Sequence, residues 1–155
     1  MILIAFTGPM KSGKTTAAKQ LHAVNLSFAQ PVKQIAIDCF GWDGIKDEKG
    51  RKLLQLIGTD CGRAYNPNIW IDKMREQLKE HEPFAEVVTI DDLRFDNEAD
   101  LVHEFGGVVI GVKRKGCEPS EHQSEKGISP EKIDLIITNN GTIQELQDSI
   151  LLCID

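Results

Sequence analysis

The hydrophobic pattern divides the chain into short, solidly apolar runs and longer amphipathic stretches. Ile2-Leu3-Ile4-Ala5-Phe6 is uninterrupted, which reads as a strand buried on both faces. Glu86-Val87-Val88-Thr89-Ile90, Val108 to Val112 and Leu135-Ile136-Ile137-Thr138 read the same way. Between them, apolar residues recur at helical spacing. Ala17, Ala18, Leu21 and Val24 form the first such stripe, and Asn25 to Ala29 then predicts a short strand. Pro31 opens a helix from Val32 to Phe40 with Val32, Ile35, Ala36 and Cys39 on one face. Residues 51 to 63 begin helically and meet Gly58 and Gly62, where a break and a new cap are both consistent. Asn66-Pro67 predicts the N-cap and first position of a helix to about Glu82, with Trp70, Ile71, Met74 and Leu78 as its apolar stripe. A helix from Asn97 to Phe105 ends at Gly106-Gly107, and a last one runs from Thr142 to about Leu152. Strands alternating with helices predict an α/β fold, a parallel sheet covered on both faces, in a single domain over 1–155. Ligands then gather at the carboxyl ends of the strands.

The first strand breaks into Gly8-Pro9-Met10-Lys11-Ser12-Gly13-Lys14-Thr15, a match to G-x-x-x-x-G-K-[ST] between a strand and a helix. Glycines let successive backbone N–H groups curl around one anion, and the helix start adds its partial positive charge. Lys14 is placed to reach the β- and γ-phosphates of a nucleotide, and the Thr15 hydroxyl to hold Mg²⁺. Gly8, Lys11, Ser12, Gly13, Lys14, Thr15 and Thr16 are therefore the candidate ATP contacts.

Composition narrows the partners. A net charge of −6 argues against an extended nucleic-acid or anionic-membrane surface, although a local cation cluster suffices for phosphate ligands. No apolar run approaches membrane-spanning length, and the apolar start is too short for a signal peptide. Cys39, Cys61, Cys117 and Cys153 make no C-x-x-C pair, which argues against a zinc-bound lid and for reduced packing thiols in a cytoplasmic protein. If the chain is phage-encoded, that cytoplasm is the host's.

A P-loop needs a second magnesium partner, and an acid at a strand end is the usual supplier; Asp91 and Asp92 both qualify. Of the five arginines, Arg75 reads as a surface charge on its helix. Arg63, Arg94 and Arg114 stand near strand ends and loop edges, as suits a site that brings two phosphate chains together. Phe28, Tyr65 and Trp70 are the aromatic candidates for stacking a base, although Trp70's place in its helix stripe favours core packing. Residues 116 to 130, rich in Pro, Ser and Gly, read as a loop, or a loop with one short helix.

The ordered set Ser27-Phe28-Ala29-Gln30-Pro31-Val32-Lys33, the segment from Arg51 to Arg63 (RKLLQLIGTDCGR), Asp92-Leu93-Arg94-Phe95-Asp96-Asn97-Glu98, Arg114, His122-Gln123-Ser124-Glu125 and Asn139-Asn140-Gly141-Thr142 resembles the phage-type deoxynucleoside monophosphate kinases of the P-loop nucleotide-kinase group. It is similar, less closely, to dephospho-coenzyme A kinases. The resemblance implies a three-layer α/β/α fold of the nucleoside-monophosphate-kinase kind, and ATP- and Mg²⁺-dependent phosphorylation of a (deoxy)nucleoside monophosphate. It implies an acceptor segment over about 28–82, with Phe28, Lys33, Arg63, Trp70 and Arg94 near the substrate, and a lid over about 115–131. It aligns Asp92 with the metal-binding aspartate, partly through water, and Arg63, Arg94 and Arg114 with Lys14 as the catalytic cations. It sets Asn139 near the ATP base. Base identity, sugar and assembly, a homodimer included, stay open. The competing readings are a dephospho-coenzyme A or other small-molecule P-loop kinase, and a slowly hydrolysing nucleotide switch.

Overall fold

β1 (Ile2–Thr7) forms the middle of a five-stranded sheet of order β2-β3-β1-β4-β5, with every pairing parallel. Its neighbours are β3 (Val87–Ile90), with Ile4 opposite Thr89, and β4 (Val108–Lys113), with Ile4 opposite Val108. β2 (Val24–Leu26) and β5 (Leu135–Thr138) are the edges. The computed structural model describes residues 1–117 and 127–154. Parallel strands need crossovers, and six α-helices supply them or follow them: α1 (Lys14–Lys19), α2 (Gln30–Phe40), α3 (Glu48–Gln55), α4 (Ile69–His81), α5 (Asp96–Glu104) and α6 (Ile143–Ile154). The sheet expected from the solid apolar runs is the sheet observed.

Strand alternation splits the core in two. Leu3, Ala5, Val88, Ile90 and Val109 pack with Phe28, Val32, Trp70, Met74, Leu78 and Leu101 on one face. Ile4, Phe6, Ile110, Val112 and Ile137 pack with Ala17, Ala18, Leu146 and Ile150 on the other. Because all strands run the same way, Gly8 after β1, Asp91-Asp92 after β3, Arg114 after β4 and Asn139 after β5 reach one rim of the sheet.

Several local expectations change. The first helix stops at Lys19, and Val24, expected in its stripe, instead pairs with Val88 in β2. The chain reverses between them, where His22 adopts a left-handed φ of 49°. Gly58 and Gly62 neither break nor cap a helix; Leu56–Arg63 continues α3 as a π-helix. That wider winding suits its contacts with Trp70, whose indole N–H donates to the Gly58 carbonyl at 2.8 Å. A Cβ on Gly62 would stand 2.6 Å from Trp70 Cζ2, so the close approach requires glycine. α4 is capped by Asn68, not Asn66; the Asn66 side chain accepts from Asn68 N at 3.0 Å in the turn before it. Cys39 and Cys61 are exposed rather than packing residues, and all four cysteines are free. Part of the expected lid, 118–126 with His122, Ser124 and Glu125, lies outside the described residues. Among the described residues no helix is long and apolar enough to cross a membrane.

Leu78 is fully buried where α4 meets the sheet. Leu78→Ala should lower unfolding free energy by about 2–5 kcal/mol. Urea titration checks this, and a change under about 0.5 kcal/mol would contradict the packing described.

Candidate active site

The loop after β1 is shaped by what surrounds it. Gly8 and Gly13 have φ of 142° and 103°, values that side chains disfavour. A Cβ on Gly8 would collide with the Val112 carbonyl, and one on Gly13 with the Asn139 amide. That amide donates to the Ser12 carbonyl at 2.9 Å. Asn139 thus braces the loop, and its side chain is engaged there rather than held out for a nucleotide base. Lys14 Nζ donates to the Gly8 and Pro9 carbonyls at 2.7 and 2.8 Å, which holds its ammonium inside the loop. The Ser12 hydroxyl is buried and has no hydrogen-bond partner among the described residues. Lys11, Gly13, Lys14, Thr15, Thr16 and Arg114 together line a cavity of about 270 Å³. Three cations and two hydroxyls around one hollow make a polyanion receptor. Arg114 reaches this cavity from the end of β4.

Asp92 has another task. Its carboxylate accepts from Ser27 Oγ at 2.7 Å, from Phe28 N at 3.0 Å and from Ala29 N at 2.9 Å. Those donors stand at the entrance to α2, so Asp92 fastens that helix to the end of β3. These bonds take three of a carboxylate's roughly four acceptor sites, so Asp92's fastening role competes with the metal role expected of it. Asp91, the other acid at this strand end, is half-buried beside it.

Arg63 leaves the π-helix and meets Glu98 Oε1 at 2.7 Å. Its guanidinium also lies over the Phe95 ring, 4.0 Å from the centroid. The second Glu98 oxygen accepts from Arg94 N at 2.7 Å and Phe95 N at 3.1 Å, completing the N-terminal cap of α5. Glu98 is buried, and burial pushes its carboxyl above the usual range, against the pull of the Arg94 N–H and the Arg63 guanidinium. One carboxylate therefore fixes the side chain of one arginine and the backbone of another. Arg94's own guanidinium is exposed and makes no hydrogen bond or ion pair among the described residues.

Phe28 and Trp70, named as substrate contacts, are 4% exposed and belong to the core. Neither offers a face to a base, which corrects both expectations. Tyr65 is 89% exposed. Lys33, in the first turns of α2, lies instead in a group of cations. Loss of hydration, then the charges of Lys33 and Arg94, push the Lys46 ammonium below its usual range; Arg51 adds to this and Asp92 opposes it. Lys46, Arg51 and Lys52 line a second cavity, of about 550 Å³, with Asp47, Glu48 and Gln55.

Residues 44–150 match the family model described as deoxynucleotide monophosphate kinase. The chain belongs to the deoxynucleotide monophosphate kinase family. Over its whole length it is 34% identical to a protein of Acanthamoeba polyphaga mimivirus, provisionally named deoxynucleotide monophosphate kinase, and covers 97% of that protein. Over 57% of its length it is 32% identical to the deoxynucleoside-5'-monophosphate kinase of Escherichia phage T5, of which it spans 38%. Its fold resembles shikimate kinase from Aquifex aeolicus, with a TM-score of 0.59 at 16% identity, covering 99% of this chain and 96% of that one. The resemblance drawn from DLRFDNE and RKLLQLIGTDCGR thus identified the family. The sequence carried a signal for Glu98 as well, the N-terminal cap spacing before α5, but gave it no role because its pairing with Arg63 spans 35 residues. Lys46 gave no signal beyond a polar glycine-containing loop.

The far side of the undescribed segment is tethered to the same corner. Asp96, at the start of α5, accepts from Ser129 Oγ at 2.6 Å and Ser129 N at 2.8 Å. The Ser129 hydroxyl, then its N–H, hold the Asp96 carboxyl below its ordinary value of 3.8, with Lys132 assisting against partial desolvation. A depressed folded value means the unfolded chain binds the proton more tightly. The resulting stability is present above pH 3.8 and is lost as pH falls through the depressed value. The wild-type advantage over Asp96→Asn, measured by urea unfolding, should be level near neutrality and shrink only below pH 3.8. An advantage that grows on acidification would contradict the contact.

Proposed function

We propose that this chain transfers the γ-phosphoryl group of ATP to the phosphate of a deoxynucleoside monophosphate, giving ADP and a deoxynucleoside diphosphate. The observation that carries this is the cavity in which Lys11, Lys14 and Arg114 converge with Thr15 and Thr16, in a chain of this kinase family. These groups hold the donor's phosphates. Arg63, from the acceptor segment over residues 28–82, and Arg94, from the loop after β3, carry the charge that lets a second anion approach the first. An acceptor oxygen forms a bond to the γ-phosphorus as the bond to the β–γ bridging oxygen breaks, and ADP leaves with that electron pair. The acceptor phosphate is largely ionised at pH 7, so no general base is needed.

Mg²⁺ fits the donor set, with Thr15 and Asp91 as its protein partners, and would supply charge neutralisation across the β- and γ-phosphates. The support for Asp91 is strand alternation. Val87 packs on the side of Ala17 and Ala18, whereas Val88 and Ile90 pack on the opposite face. Carried past the strand end, that alternation gives Asp91 the face of α1 and Asp92 the face of α2, in keeping with Asp92's bonds to residues 27–29.

The test supplies ATP and Mg²⁺ with a panel of deoxynucleoside and nucleoside monophosphates plus dephospho-coenzyme A, and follows ADP release. Release should require a deoxynucleoside monophosphate. Release without any acceptor, or with dephospho-coenzyme A alone, would contradict the reading. Lys14→Ala should lower kcat by about 10²–10³-fold or more, the loss seen on removing a transition-state donor. Asp91→Asn should raise the Mg²⁺ concentration needed for half-maximal rate. Asp92→Asn should lower unfolding free energy by about 0.5–2 kcal/mol, the range for a helix cap, with that Mg²⁺ dependence unchanged. The reverse pattern would return the metal to Asp92.

A further inference from the structure

Lys46, in the loop after α2, and Arg51, on α3, line one cavity; Lys33 stands in the turn of α2 that Asp92 fastens through Ala29, and Arg94 follows Asp92 by two residues. Among the described residues none of them takes part in an ion pair. Asp47 and Glu48 line the same cavity as Lys46 and Arg51, and Asp92 stands nearby; Asp47 is bound to the start of α3, and Asp92 to Ser27, Phe28 and Ala29, so neither pairs with these cations. Such a group repels itself, and the repulsion is relieved when an anion enters. In a chain of net charge −6, concentrating like charges in this way has a cost that a phosphate ligand offsets.

The place is built rather than incidental. The loop bearing Lys46 is braced by Trp42 Nε1 donating to the Ile45 carbonyl at 2.9 Å, and by Ile45 N donating to Asp43 Oδ1 at 2.9 Å. Gly50, buried on α3, lies against Trp42 and the Ile45 carbonyl so closely that a Cβ there would strike the carbonyl. Asp47, the acid beside Lys46, caps α3 by accepting from Gly50 N at 2.7 Å. Lys46 and Arg51 therefore face the cavity of about 550 Å³ from two fixed supports. Arg94 joins this wall to the rim of the sheet on which the P-loop stands.

We propose that Lys46 and Arg51, with Lys33 and Arg94, form the anchoring site for the phosphate monoester dianion of the acceptor nucleotide. This rests on the kinase reading above and adds to it the residues that hold the acceptor before transfer. Arg63, whose guanidinium Glu98 holds, is left to the transferring phosphoryl.

Lys46→Met and Arg51→Met test the site, because both side chains are exposed and neither change opens the core. The acceptor KM should rise at least tenfold in each, while the KM for ATP stays within twofold. Lys19→Met, at the exposed end of α1, should leave both unchanged. Calorimetric titration separates the sources of the anion. The deoxynucleoside monophosphate should bind wild type at least tenfold more tightly than either variant, inorganic phosphate should compete with it, and the unphosphorylated deoxynucleoside should bind all three equally weakly. Acceptor KM and affinity within twofold of wild type in both variants would overturn the site while leaving the kinase reading intact. If wild type shows no acceptor-dependent ADP release, the kinase reading fails. The titration then still decides: loss of monophosphate binding in the variants supports the anion site, and no binding to wild type overturns it.

Discussion

A buried carboxylate cannot stand alone, and the partners of Glu98 set the geometry of this site. Leaving an ionised group unpaired in the interior costs several kcal/mol, roughly 3–5 when one partner of a buried pair is lost. Glu98 meets that demand with the Arg63 guanidinium on one oxygen and the Arg94 and Phe95 N–H groups on the other. The π-helix and the connection from β3 to α5 are thereby held at fixed separation. Phe95 adds a ring beneath the same guanidinium. The pairing leaves Arg94's side chain exposed, directed by a backbone that is itself capped. Two neighbouring arginines thus differ in freedom: the guanidinium of Arg63 is held by Glu98, and that of Arg94 is exposed.

The donor side rests on a similar economy of contacts. Gly8 and Gly13 exist in their conformations because Val112 and Asn139 occupy the space a side chain would need. Asn139 follows the last strand and closes on the first loop, so the P-loop is shaped by the two strands on one side of β1. On the acceptor side, Asp92 fastens α2 to β3 and so sets where Lys33 stands. The carboxylates at positions 92, 96 and 98 are each held in place by donors of the fold, Glu98 by a cation as well.

Much of this was legible in the sequence. Solid apolar runs gave the parallel sheet, since only strands covered on both faces dispense with polar alternation. G-x-x-x-x-G-K-[ST] gave the donor loop, and strand-end position gave Arg114 its place. What failed did so for identifiable reasons. Val24 satisfied a helical period yet paired as a strand, because tertiary pairing overrode local spacing. Asp91 and Asp92 are adjacent and chemically alike, and strand alternation with the contacts at residues 27–29 separates them. Phe28 looked like a base platform because aromatic residues serve cores and ligands alike, whereas Trp70's helix stripe already favoured the core it occupies. Lys46 was invisible because a cation cluster assembled from positions 33, 46, 51 and 94 has no period or spacing to read.

Joining two phosphates requires that their charges be held by cations, and Lys11, Lys14 and Arg114 supply three around one cavity. The most direct measurement follows the γ-phosphoryl group itself. With ATP carrying a labelled γ-phosphate and a deoxynucleoside monophosphate present, the label should appear in the deoxynucleoside diphosphate, one for each ADP formed. Label recovered as inorganic phosphate at the same rate with and without acceptor would contradict the account.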